Sequence, residues 1–154
     1  MTYLYLHNNT APAAGPRNMS NDSQTHWYLN LTLDEYAYNW TVQMVNTSNL
    51  THSTNSSMYY FTIDYTDPTP KINVPVDNYN STSVNVTFVL NCTDATSSVQ
   101  YLELWSNFSG TWAYNQTNNS VHSGVNWNIT VNGITDGYYL WGAYCNDSAG
   151  NNNY

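Results

Sequence analysis

The chain carries almost no positive charge. Its 154 residues include two Lys or Arg against ten Asp or Glu, so the formal net charge is −8 and 8% of the residues are charged. Proteins that bind nucleic acid neutralise its phosphates with Lys and Arg, and segments that contact anionic membranes use the same residues. The composition therefore predicts no nucleic-acid partner and no electrostatic contact with a membrane.

Motifs for catalysis and metal binding are lacking too. The four His are scattered, and no nucleophile motif, phosphate loop or Cys/His ligand spacing occurs. Asp64 and Asp67 lie beside prolines, and we interpret them as turn formers rather than as Ca²⁺ ligands. No run of about 18 apolar residues is present to span a membrane. We predict a chain without catalytic, metal-binding or cofactor-binding residues, and hence not an enzyme.

Asn-X-Ser/Thr triplets, the acceptors for N-linked glycan, are in excess. With 25 Asn and 34 Ser or Thr among 154 residues, random placement gives roughly five or six triplets, about a third of the sixteen present. A polar sequence that makes triplets by accident is the alternative, but it leaves about ten of them unexplained. We predict glycosylation at Asn8, Asn18, Asn21, Asn30, Asn39, Asn46, Asn49, Asn55, Asn80, Asn85, Asn91, Asn107, Asn115, Asn118, Asn128 and Asn146.

This excess indicates an exported protein whose surface is made hydrophilic by amides, hydroxyls and sugars instead of charge. We therefore expect an extracellular or cell-surface location, and no cofactor apart from covalent glycan. The start MTYLYLHNNT lacks the basic residues and the long apolar stretch of a signal peptide. We expect the export signal to lie outside this sequence.

Alternation of apolar and polar residues predicts strands, and no segment favours a helix, so the expected class is all-β. The clearest alternating segments are 59–63, 84–92, 125–131 and 139–145. The tryptophans predicted to point inward are Trp27, Trp40, Trp127 and Trp141. Trp105 and Trp112 remain as the rings available to stack on a sugar.

A repeat of about 100 residues is visible. YLYL at 3–6 is echoed by YLEL at 101–104, HWYLNLTL at 26–33 by VNWNITVNGI at 125–134, and DEYAYNWTVQM at 34–44 by DGYYLWGAYC at 136–145. Trp40 then matches Trp141. Between the repeats, DYTDPTPKI has the Asp-Pro and Thr-Pro steps of an extended linker. We predict domains at 1–64 and 71–154, joined by a linker at 65–70.

The sequence resembles the immunoglobulin-like β-sandwiches that are repeated in archaeal and bacterial secreted surface proteins. The residues that carry the resemblance are VNVTFVLNCTD as strand B, VQYLELW as strand C, VNWNITVNGITDGYYLWGAYCNDSAGN as strands E and F, and YYFTIDYTDPTP as strand G and linker. The order Cys92, Trp105, Cys145 is similar to the Cys-Trp-Cys order of that fold and implies a disulfide between Cys92 and Cys145. Two buried free thiols are the alternative. Ala143 departs from the tyrosine corner, and alternation turns Trp105 outward, so Trp141 is expected to cover the disulfide.

Compared with that fold, both repeats lack strands. Residues 1–64 supply strands C to G, and 71–154 supply strands A to F with G missing. Open apolar sheet edges recruit other strands. Either the chain is a piece of a longer array, or neighbouring copies donate the missing strands, as in donor-strand complementation of pili. Donor and acceptor would then lie on different surfaces and build a head-to-tail fibre.

These features lead to the hypothesis of a non-enzymatic structural subunit of an extracellular, heavily N-glycosylated filament or surface stalk. Its partners would be copies of itself in a head-to-tail polymer made by strand complementation between immunoglobulin-like domains. A second hypothesis is a carbohydrate-binding or adhesion module of a larger secreted surface protein, with glycans or a host surface as partner. A third, an accessory domain of a secreted enzyme, predicts a catalytic domain elsewhere in the gene.

Overall fold

The computed structural model of the chain describes residues 2–8, 14–21 and 26–154. These residues form strands and no helix, so the all-β prediction is confirmed, and none of them lies in a helix that could cross a bilayer. The strands are β1 (Thr2–Asn8), β2 (Ala14–Asn18), β3 (Ser20–Asn21), β4 (Trp27–Tyr28), β5 (Tyr36–Val45), β6 (Ser53–Asn55), β7 (Tyr59–Ile63), β8 (Thr69–Val74), β9 (Val86–Thr93), β10 (Val99–Ser106), β11 (Ala113–Asn118), β12 (Trp127–Val131), β13 (Trp141–Asp147) and β14 (Asn152–Asn153). The chain divides into an N-terminal unit, Met1–Asp64, and a C-terminal unit, Tyr65–Tyr154.

One antiparallel sheet organises the N-terminal unit. β1 pairs with β5 along its whole length, and β2 pairs with the other edge of β1. The second edge of β5 is shared, because β7 pairs with Tyr36–Trp40 and β6 pairs with Gln43–Val45. Between these two segments, the N–H of Val42 donates to Ser56 Oγ at 3.0 Å, and the N–H of Ser56 donates to the Val42 carbonyl at 2.8 Å. Both edges of β5 therefore have partners along most of its length.

Stacked aromatic side chains hold β7 against β5. The ring of Tyr38 stacks on Phe61 at a centroid distance of 5.2 Å, and the ring of Trp40 stacks on Tyr59 at 5.0 Å. Trp27, which alternation predicts to face inward, is instead 40% exposed. The reason is that its strand, β4, pairs with β3 in a two-stranded sheet of its own and lies outside the five-stranded sheet.

Two antiparallel sheets form the C-terminal unit. Their strand orders are β11-β10-β13-β14 and β12-β9-β8. Because successive side chains of a strand point to opposite faces, alternate residues of β9, β10, β12 and β13 meet in one core. The buried members of this core are Phe88, Leu90, Cys92, Val99, Leu102, Leu104, Ile129, Ala143 and Cys145. The fold of this unit is sandwich-like.

A disulfide joins the two sheets of the C-terminal unit. Cys92 on β9 and Cys145 on β13 are bonded, their Cα atoms are 6.4 Å apart, and both residues are buried. Trp141 packs against the same core, with its ring 6.1 Å from that of Phe88. The bond therefore fixes the centre of β13 to the opposite sheet.

The alternation predicts strand centres better than strand ends. β7 has the predicted bounds, whereas β9, β12 and β13 each begin two residues later than predicted. As a result Val84 and Val125, both expected inside, lie before the paired segments and are 54% and 58% exposed. β8 begins at Thr69, inside the stretch predicted as linker.

A buried carboxylate shapes the turn after β13. Asp147 Oδ1 accepts the backbone N–H groups of Ala149, Gly150 and Asn151 at 2.8, 2.8 and 2.9 Å, and Asp147 Oδ2 accepts Asn151 Nδ2 at 2.9 Å. Gly150 has φ 98°, a conformation that favours glycine. The turn leads into β14, a two-residue strand at the position where the sequence predicts no seventh strand.

Removing the disulfide is expected to destabilise the C-terminal unit strongly. The bond closes a loop with a sequence separation of 53 residues, which corresponds to about 4 kcal/mol of unfolding free energy by the chain-entropy argument. The double variant Cys92→Ala/Cys145→Ala, compared with wild type by urea unfolding with and without reductant, measures this. Wild type in reductant should match the variant; an unchanged urea midpoint in the variant would contradict the expectation.

Candidate strand-acceptor edge, glycan acceptors and aromatic face

The two edges of β13 are filled unequally. One edge pairs with β10 from Trp141 to Asp147. On the other edge, β14 pairs with Cys145 and Asn146, and the N–H of Asp147 donates to the Asn151 carbonyl at 3.0 Å. Since N–H groups alternate between the two edges of a strand, those of Trp141 and Ala143 point to the same side as that of Asp147. No strand among the described residues pairs with them there.

A groove of about 330 Å³ adjoins this open stretch of edge. It is lined by Ile72, Pro75, Val76, Asp77, Tyr139, Leu140 and Trp141. Ile72 comes from β8, the edge strand of the three-stranded sheet, and Trp141 comes from β13. Val76 and Leu140 are 69% and 68% exposed. Apolar side chains, together with the Asp77 carboxylate, thus line the space between the edges of the two sheets, beside backbone groups that have no strand partner among the described residues.

The N-terminal unit fills the corresponding edge. Trp40, which matches Trp141 in the repeat, lies on β5 where β7 pairs with it, and Tyr59 of β7 stacks on its ring. In the C-terminal unit the equivalent edge of β13 carries the two-residue β14 further along, and Trp141 is left half-buried beside the groove. By the repeat, β14 corresponds to β6, and among the described residues no strand takes the place of β7 on β13.

The predicted glycan acceptors differ in exposure. The side chain of Asn8 lies outside the described residues. Nine acceptors are exposed: Asn18, Asn21, Asn30, Asn46, Asn49, Asn55, Asn80, Asn85 and Asn128. The half-buried acceptors are Asn39, Asn91, Asn107, Asn115, Asn118 and Asn146.

Three acceptors share a turn in which the amide oxygen is engaged within its own triplet. The Oδ1 atoms of Asn46, Asn49 and Asn118 accept the backbone N–H of the residue two positions on, at 2.9, 3.2 and 2.9 Å. That residue is the Ser or Thr of the triplet in each case, and Thr51 Oγ1 also donates to Asn49 Oδ1 at 2.7 Å. This Asx turn fixes the oxygen and leaves Nδ2 as the atom to carry a sugar.

Other acceptor amides are used by the fold. Asn107 Oδ1 accepts the N–H of Leu140 at 2.8 Å, and Asn91 Nδ2 donates to Asn126 Oδ1 at 3.1 Å. Asn39 Oδ1 is buried and has no hydrogen-bond partner among the described residues. A sugar on Asn39 would therefore have to grow from a crowded position on β5, whereas the Asx-turn acceptors Asn46 and Asn49 are exposed.

Trp105 lies on the outer face of the four-stranded sheet, as alternation predicts. Its ring centroid is 6.3 Å from Trp112, 6.4 Å from Tyr114, 6.4 Å from Tyr144 and 5.7 Å from Tyr154. We call these five side chains the aromatic face. The sequence pointed to the two tryptophans but missed Tyr114 and Tyr154, because β11 and β14 have little apolar alternation to mark them as strands; Tyr144 lies on the predicted strand β13 but was not singled out.

Hydrogen bonds organise the aromatic face. Glu103, the next outward residue on β10, accepts Trp105 Nε1 with Oε2 at 2.7 Å and Thr117 Oγ1 with Oε1 at 3.1 Å. Burial, a hydrogen bond with Tyr101 and neighbouring acidic groups raise the pKa of Tyr144 from 10.0 to about 12. The Tyr144 hydroxyl therefore stays protonated through the physiological range.

The raised pKa of Tyr144 predicts a loss of stability at high pH. Its neutral form is favoured in the folded state, so the contribution is complete below pH 10.0 and is lost as the pH rises from 10.0 towards about 12. Tyr144→Phe should make the urea midpoint fall less steeply over this range than it does in wild type. Tyr138→Phe, at a fully exposed tyrosine, is the control and should retain the wild-type slope; equal slopes for all three proteins would contradict the assignment.

No protein-family model, curated protein or solved structure matches this chain, so its function has to be argued from these sites.

Proposed function

We propose that this protein is a non-enzymatic structural subunit of an extracellular, N-glycosylated filament or surface stalk, with immunoglobulin-like domains completed by strands from neighbouring copies. The observation that carries the proposal is the open edge of β13 beside the apolar groove. An unpaired edge next to apolar surface is a template for another strand. In strand addition, backbone hydrogen bonds supply affinity, and pockets for alternate side chains supply specificity.

The occupant of the groove is an extended segment of a second copy of this chain. The N-terminal unit supports this choice, because its β5 already receives a strand of alternating aromatics in the equivalent place, with Tyr59 on Trp40. One side chain of the donated strand would contact Trp141, and the side chain two residues further along would point towards Ile72. Because donor and acceptor are different surfaces, each added copy leaves a new acceptor free, and the polymer grows head to tail.

The distribution of glycan acceptors also supports the proposal. The two longest stretches without an acceptor Asn are 56–79 and 129–145. These stretches supply every residue that lines the groove, from Ile72 to Asp77 and from Tyr139 to Trp141. A glycan coat built on the sixteen triplets would put no sugar on the lining residues themselves. Asn107, whose Oδ1 accepts the N–H of Leu140, adjoins the groove, and its sugar would have to point away or be absent.

An exterior location accounts for the covalent chemistry and the charge. Disulfides persist in oxidising compartments, and the Cys92–Cys145 bond is compatible with one. A surface with 8% charged residues needs other hydrophilic groups, and N-linked sugars supply them. Scarce Lys and Arg also deny trypsin-like proteases their cleavage sites.

A charge in the groove is expected to block assembly. Val76→Lys changes a 69% exposed residue, so folding should be unaffected, but an incoming strand would have to bury the ammonium. Sedimentation velocity should report association weakened by about tenfold or more, which is at least about 1.4 kcal/mol, and electron microscopy should show the loss of fibres.

Val125→Lys is the matched control, because Val125 is 58% exposed and is not among the residues that line the groove. It should assemble as wild type does. The proposal fails if wild type remains monomeric at every concentration, or if Val76→Lys and Val125→Lys assemble equally well.

Glycopeptide mapping tests the sugar coat. In a eukaryotic secretion host, we expect high occupancy at the exposed Asx-turn acceptors Asn46 and Asn49 and low occupancy at Asn39, whose Oδ1 is buried. Enzymatic release in oxygen-18-labelled water, which tags each formerly glycosylated Asn as it becomes Asp, followed by mass spectrometry, measures the occupancy of each Asn. Unmodified Asn46 and Asn49 in secreted protein would contradict the expectation.

A further inference from the structure

The two outer faces of the C-terminal unit have opposite chemistry. On the three-stranded sheet the outward residues are mostly polar: Thr87 and Thr130 share a hydrogen bond of 2.8 Å and Asn91 donates to Asn126, beside one valine pair, Val74 and Val89. On the four-stranded sheet the outward residues form the aromatic face defined above, of which Trp112, Tyr114 and Tyr154 are 47%, 62% and 65% exposed. Solvent-facing strands are normally polar, and clustered exposed rings mark binding surfaces.

The rings of this face are held in position before any ligand arrives. Gly142 lies opposite Trp105 on β13, and a Cβ on it would lie 3.3 Å from Cη2 of Trp112. The absence of a side chain at Gly142 therefore allows the Trp112 indole to lie against the strand. Trp105 is fixed through its Nε1 bond to Glu103, which Thr117 holds in turn. Preorganised side chains lose little entropy on binding.

Charge selects the class of ligand. The basic residue of the C-terminal unit is Lys71, on β8 of the opposite sheet, so this unit places no Lys or Arg on the face to bind an anionic ligand. Glu103 is the charged residue among the rings, and both of its oxygens already accept hydrogen bonds. Each carboxylate oxygen still has a lone pair that a ligand hydroxyl can donate to.

From these observations we infer that the aromatic face binds a neutral oligosaccharide, with pyranose rings stacked on Trp112 and Tyr114 and sugar hydroxyls bonded around Glu103 and Tyr144. Sugars suit such a face, because their C–H surfaces pack on aromatic rings while their hydroxyls meet carboxylates and phenols. A donated strand does not suit it, because backbone hydrogen bonds form at a sheet edge and not on its face. The inference does not depend on the strand-acceptor proposal.

Isothermal titration calorimetry, together with the change in intrinsic tryptophan fluorescence, tests whether the aromatic face binds an oligosaccharide. The probes are cellohexaose, laminarihexaose, chitohexaose and mannohexaose, with a heparin hexasaccharide and tetramethylammonium as the anionic and cationic comparisons. The variants are Trp112→Ala and Tyr114→Ala, both at exposed rings, and the control is Tyr138→Ala, at a fully exposed tyrosine outside the face. Each protein is measured as secreted and again after enzymatic removal of its own glycans, which could otherwise occupy the face.

We expect at least one neutral hexasaccharide to bind wild type and Tyr138→Ala equally, and to bind Trp112→Ala and Tyr114→Ala about tenfold more weakly or worse. The inference is overturned if none of the four neutral probes binds before or after glycan removal. It is also overturned if the two ring variants bind as well as wild type, or if only heparin or tetramethylammonium binds. Val76→Lys should bind the sugar normally, so failure of fibre assembly and failure of sugar binding are separate results.

Discussion

The backbone of a β-strand has hydrogen-bonding groups along both edges, and the organisation of this protein follows from how those edges are filled. β5 pairs with β1 on one side and with β6 and β7 on the other. β13 pairs fully with β10 but receives two residues of β14 on its second edge. The disulfide at Cys145 fixes β13 to the opposite sheet. β13 therefore cannot rotate to bring the backbone groups of this edge into hydrogen bonds inside the unit. Its unpaired groups near Trp141 are therefore held at the surface beside the groove.

The side chains around that edge are largely apolar, as in a protein core, although part of them is exposed to solvent. Ile72 and Trp141 pack partly against the buried residues of the C-terminal unit, while Val76 and Leu140 extend the same apolar lining into solvent. Burial of one such side chain is worth roughly 1.5–3 kcal/mol relative to exposure. A strand placed there would gain backbone hydrogen bonds and apolar contacts together, much as β7 gains pairing and ring stacking on β5.

Sequence alternation predicted this fold where one face of a strand meets a packed core. β7 has the predicted bounds, and Phe88, Leu90, Cys92, Ala143 and Cys145 are buried as expected. It predicted poorly where packing is one-sided: Trp27 is exposed because β4 belongs to a separate two-stranded sheet. β11 and β14 were not anticipated, because their residues are mostly amides and hydroxyls that are held by neighbouring strands and by the Asp147 turn. The groove could not be predicted, since it depends on how β8 and β13 approach each other.

Asparagine serves two physical purposes in this chain, and the balance between them explains its composition. In Asn107, Asn91 and Asn126 the amide supplies hydrogen bonds that a low-charge protein cannot obtain from ion pairs. In Asn46, Asn49 and Asn118 the Asx turn engages only the side-chain oxygen, Oδ1. A sugar on Nδ2 leaves that oxygen bond intact, so the second group accepts glycan without cost to the fold. None of the residues that line the groove is a glycan acceptor, so in the proposed assembly the open edge of β13 would contact polypeptide while acceptors elsewhere carry sugar.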